Sequence, residues 1–155
     1  MTLLYVVTYL VIGALTYQLV TKQFYAGDEP VFALYLRSEE DAAQWNHVER
    51  WQLPLLLVRS LLLALVMLPL IGALRAASFR MRAVTVFGLV FVLTHLASAA
   101  PSPGNIEGIV YLRPELVSAR IFLLTQIEMI LQGLVFALGA AHLIGTWSGG
   151  HTKED

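Results

Sequence analysis

Arg59, His95 and Glu128 each interrupt a different long apolar run, and these three side chains are the ones best equipped for chemistry. A guanidinium binds phosphate or carboxylate through paired N–H donors. An imidazole beside a carboxylate in a low-dielectric pocket serves as general acid or base. His95 and Glu128 are therefore the candidate catalytic residues. Arg59, His95, Glu128, Thr125 and Gln132 form the candidate ligand-binding set. His47, Glu49, Glu107 and Arg113, from the segments between the apolar runs, are placed at the mouth of such a pocket. No spacing matches a catalytic signature: there is no H-E-x-x-H, no G-x-S-x-G and no phosphate-cradling glycine loop.

The elements that must position these groups follow from composition. The chain has 155 residues, 57% hydrophobic and 14% charged. A soluble domain carries about 25% charged residues, so this chain reads as an integral membrane protein with the lipid bilayer as its first partner. A formal net charge of -1 leaves no basic footprint for nucleic acid. The absence of cysteine excludes disulfides, thiolate metal sites and cysteine nucleophiles. Abundant Leu, Ala and Val, with Arg well ahead of Lys, point to a bacterial inner membrane.

Spanning a hydrocarbon core takes about 20 apolar residues. Four segments qualify, at about 3–20, 53–74, 83–100 and 114–144. The first has no basic residue before it and no clear small-x-small cleavage site, so it reads as a retained helix rather than a signal peptide. Pro54 suits the first turn of the second span. Ser38 followed by Glu39, Glu40 and Asp41 is a helix start, with a capping serine and acids in the first turn. It predicts a short interfacial amphipathic helix over about 39–51, with Trp45 and Trp51 at headgroup level. The expected fold is thus all-α, a four-transmembrane-helix bundle with that helix in the first outer loop, in a single domain over 1–155. Arg75, Arg80 and Arg82 crowd the short loop between the second and third spans. Basic short loops stay in the cytoplasm, which puts both termini inside in a multi-pass topology.

At about 1.5 Å per residue, Arg59, His95 and Glu128 lie roughly 9, 8 and 10 Å from the outer ends of their helices. They are expected to share one polar layer, with an Arg59–Glu128 ion pair and His95 in reach. Ser118, Thr125, Glu128, Gln132 and Gly139 share a stripe on the fourth span that must face protein. A haem would need two histidines at matched depth, whereas His95 and His142 sit more than ~20 Å apart by helix rise. No cofactor and no metal are expected. Three functions fit. The leading one is an accessory or assembly subunit of a membrane complex, its polar layer a registry device against a membrane protein partner. The alternative is a site, binding or enzymatic, that opens to the outer face for a lipid or other amphipathic anionic molecule. The third is an oligomeric proton-coupled transporter, for which a homo-oligomer would be needed.

Overall fold

A computed structural model describes residues 1–26, 30–34, 36, 37 and 39–146. The described residues are helical and connecting, without strands, and four helices are long and apolar enough to cross a membrane. They are α1 (Thr2–Tyr25), α2 (Ala42–Ala76), α3 (Phe79–Leu96) and α5 (Ala119–Thr146), with a short loop helix α4 (Ile106–Tyr111) between the last two. The four expected long apolar helices are present, with shifted boundaries.

Each shift has a local cause. α1 does not stop at Val20. A π turn at Tyr17–Thr21 carries it into Lys22–Tyr25, where Phe24 is buried and Lys22 pairs with Glu39 at 3.3 Å. The separate interfacial helix at 39–51 is not formed. Its residues from Ala42 onward are the first turns of α2, continuous through Met67 with Pro54 inside. Pro54 removes one backbone bond and does not open the helix, as is tolerated in membrane helices. The start lies at Asp41, whose carboxylate accepts from the N–H groups of Ala43 and Gln44; Ser38 lies outside the described residues. α2 then passes a single 3-10 turn at Leu68–Leu70, where Pro69 interrupts the ladder, and resumes over Ile71–Ala76. α3 starts at Phe79 because Ser78 Oγ caps the Met81 N–H. It ends at Leu96 rather than Ala100. α5 starts at Ala119, not Pro114, because Val117 is extended and Ser118 Oγ accepts from the Ile121 N–H.

α5 is the central element, packed against both α1 and α3, and α2 packs chiefly on α1. Buried Ala137, Ala140 and Ala141 let neighbouring helices approach α5 closely. The main core gathers Tyr5, Leu56, Met67, Val86, Phe136 and Ile144, among others. A second, smaller core of Phe24, Phe32 and Ile121 ties the segment after α1 to the start of α5. α1 pairs with α5 in antiparallel register, Tyr5 opposite Phe136 and Gly13 opposite Glu128. The start of α1 and the end of α5 therefore share one end of the bundle, here the terminus side. The described residues among 30–41 and the segment 97–118 share the other, the loop side. With α2 on one flank and α3 on the other, a groove runs between them, floored by α1 and α5.

Candidate functional site

Tyr5, Thr8 and Tyr9 recur at i, i+3 and i+4, so they occupy one face of α1. That face meets the groove. The Tyr5 ring is held edge-on by Phe136, centroids 5.3 Å apart at 85°, and Tyr9 stacks beside it at 6.4 Å. From α2, the Arg59 guanidinium lies 5.8 Å from the Tyr5 ring and 5.9 Å from the Tyr9 ring. Two cation–π contacts of this kind are each worth ~0.5–2 kcal/mol. On the opposite flank, Phe87 stacks on Phe91 at 5.3 Å, and Phe91 lies 5.8 Å from the His95 ring. Gly133 of α5 lies against this stack, where a Cβ would come within 3.2 Å of Phe87, a tight contact.

These walls enclose a cavity of about 160 Å³, where a single water needs only ~10–15 Å³. Its polar lining is Tyr5, Thr8, Tyr9, Arg59, Thr94, His95 and Gln132. Arg59 is exposed on the flank, so the groove opens sideways, into lipid if the four helices span a bilayer. It runs from Phe136 to Met129 along α5, seven residues or ~10 Å of helix rise.

Glu128 does not line this cavity and forms no ion pair with Arg59. It is half-buried behind the groove, between α5 and α1. Its Oε1 accepts from Gln132 Nε2 at 2.9 Å, one turn along the same helix, and it lies against Gly13 and Thr16. Register explains why the expected single layer divides. Arg59 is level with Tyr5 and Tyr9, whereas Glu128 is level with Gly13 to Thr16. Those positions are four to seven residues further along α1, or ~6–10 Å. Counting depth from helix ends misplaced Arg59 because α2 begins eleven residues earlier than the expected start at residue 53.

His95 closes the loop-side end of the groove. It sits in the π-helical stretch Leu89–Leu96, a wound-out geometry common at functional sites. The loop covers it through Gly104, where a Cβ would approach His95 Cε1 to 3.0 Å and Thr125 Oγ1 to 2.7 Å. Gln126 Nε2 donates to the Gly104 carbonyl at 2.7 Å. Thr125 spends its hydroxyl on the carbonyls of Ile121 and Phe122 and supports the loop, not the cavity. Asn105, 1% exposed, holds the loop itself. Its Nδ2 donates to the Ser98 and Ala100 carbonyls, and its Oδ1 accepts from the Ser102 and Gly108 N–H groups.

Of the expected binding set, the fold brings Arg59, His95 and Gln132 to one cavity, sets Glu128 one hydrogen bond behind it and turns Thr125 to the loop. The expected mouth residues do not line it. His47, Glu49 and Arg113 are exposed, Glu107 is half-buried, and all four belong to the loop side or its helix ends. Tyr5, Thr8, Tyr9, Phe91 and Thr94 complete the site. The Tyr5–Tyr9 spacing was the available signal, and it reads equally as an ordinary packing face. Among the described residues no three His, Asp or Glu side chains converge as a metal site. No family model matches the chain, and neither curated proteins nor solved structures provide a match.

Proposed function

We propose that this is a multi-pass membrane protein whose lateral groove binds the anionic head of an amphipathic molecule, with the tail leaving between α2 and α3. One observation carries this reading: Arg59 lies within an apolar span, faces a cavity and, among the described residues, has no carboxylate against it. An unpaired cation in a membrane is costly, and a ligand anion removes most of that cost. The two tyrosines fix the guanidinium in place, Tyr5 also through a side-chain hydrogen bond, and its remaining N–H donors are left for a phosphate or carboxylate. His95 at the far end is the group available for proton transfer to a bound molecule.

The test compares purified wild type with Arg59→Gln in neutral detergent, titrated with short-chain anionic and zwitterionic lipids of equal tail length. The anionic lipid is expected to raise the wild-type melting temperature and leave Arg59→Gln unmoved. Equal response of both proteins to both lipids would mean that Arg59 only reaches for headgroups at the surface. A second reading, an accessory subunit, is favoured by the packing of α2, which rests chiefly on α1 and leaves the α2–α3 flank open to a partner helix. A stoichiometric membrane protein co-purifying with wild type, and displacing the anionic lipid, would establish it.

A further inference from the structure

Gln132 and Glu128 together say what else the bound molecule carries. This inference rests on the groove being an anion site and names the chemistry of its ligand. Gln132 lines the cavity, and its amide has two ends with opposite hydrogen-bonding character. A carboxylate only accepts, so the 2.9 Å contact with Glu128 Oε1 commits Nε2 to the side away from the groove. The pair packs against α1 at Gly13, where a Cβ would stand 3.4 Å from Gln132 Nε2 and 3.7 Å from Glu128 Oε1, an ordinary contact distance. What Gln132 then has left is Oε1, an acceptor that takes no hydrogen bond from the described residues. The groove thus offers a cation at the level of Tyr5 and Tyr9, and a neutral acceptor from α5 in the same cavity lining.

We infer that the ligand head combines an anionic group with a hydroxyl a few bonds away: the anion meets Arg59 and the hydroxyl donates to Gln132 Oε1. A hydroxylated phosphodiester lipid has this pattern, and so does a free polyol phosphate. Glu128 acts as a positioning residue, because it selects which end of the amide faces the ligand. The hydroxyl itself never touches Glu128.

Two lipids isolate the point. Phosphatidylglycerol and phosphatidylmethanol carry the same single charge, and only the first has head-group hydroxyls. Native mass spectrometry of the full chain, with the two lipids in competition, is expected to show a roughly five-fold preference for phosphatidylglycerol, the value of one neutral hydrogen bond. Gln132→Leu removes the acceptor, and Glu128→Gln frees the amide to turn over. Both are expected to bring the ratio near one while anionic lipid still outcompetes phosphatidylcholine. The pair guards against a folding defect in either variant. A wild-type ratio near one, with anionic preference intact, overturns the hydroxyl inference and leaves the anion site standing. Loss of all anionic preference in wild type overturns the site itself. Glycerol 3-phosphate at millimolar concentration supplies the last arm: if it displaces phosphatidylglycerol, the natural ligand is the water-soluble form of the same chemistry, and if it does not, the ligand is a lipid.

Discussion

Replacing Asn105 by alanine should release the loop that covers His95 while leaving the bundle folded. Asn105 makes four hydrogen bonds, two as acceptor, from the Ser102 N–H at 3.0 Å and the Gly108 N–H at 2.8 Å, and two as donor, to the Ala100 carbonyl at 2.7 Å and the Ser98 carbonyl at 3.3 Å. At about 1 kcal/mol net for each, the knot contributes ~4 kcal/mol to keeping the loop closed. Gly108 is buried, so its N–H finds no substitute partner when Asn105 is lost. At ~1.4 kcal/mol per factor of ten, amide exchange at Ser102 and Gly108 should accelerate by ~100–1000-fold. Asn105→Asp turns a carboxylate oxygen against the Ser98 and Ala100 carbonyls at a buried site, so its acceleration should at least match that of alanine. The assay is hydrogen–deuterium exchange of peptides covering 98–112 in lipid nanodiscs. Peptides from 130–141 report on the α5 core and should not change. Less than five-fold acceleration in Asn105→Ala, or equal acceleration in the core peptides, would refute the idea of a locally knotted loop.

Other outcomes are open to direct measurement. Gly104→Ala places a Cβ 2.7 Å from Thr125 Oγ1 and 3.2 Å from Thr125 Cβ, so it should lift the loop and expose His95 to diethyl pyrocarbonate; Gly72→Ala, with nothing within 4 Å, should change nothing in that assay. Because the chain has no cysteine, single cysteines need no background removal. Thr2→Cys and Thr146→Cys should label with an impermeant maleimide from one side of the membrane, and Glu40→Cys and Ile109→Cys from the other. The Asp41 carboxyl is held below the usual carboxylate range, first by the Gln44 N–H and then by that of Ala43. A depressed folded value means the cap is fully present above the unfolded value, about 4, and is lost as pH falls through the folded one. Amide exchange at Ala43 and Gln44, corrected for its intrinsic pH dependence, should therefore rise only in acid, and Asp41→Ala should show the raised rate at every pH.

The number of long helices was legible in the residues. Apolar runs near 20 residues have few alternatives to a helix when water is excluded, because each backbone group must find its partner within its own segment. Ends were less legible. Residues 39–51 carry the marks of a separate helix, with acids first, Pro54 after, and Trp45 and Trp51 between. They form the start of α2 because nothing in that stretch opens the backbone ladder. Glu128 with Gln132 at i+4 was readable as one polar stripe on α5, and they do bond to each other. The meeting of Arg59 with Tyr5 and Tyr9 was not readable, nor was its separation from Glu128. Periodicity places a side chain on a face of its own helix and says nothing of which helix stands opposite or at what height. Those two facts depend on how α1 and α2 slide past each other, which is decided by packing across the bundle, by Tyr5 on Phe136 and small residues along α5. The residue types thus determined the chemistry available to this protein; the tertiary register alone decided that its arginine faces a groove rather than its glutamate.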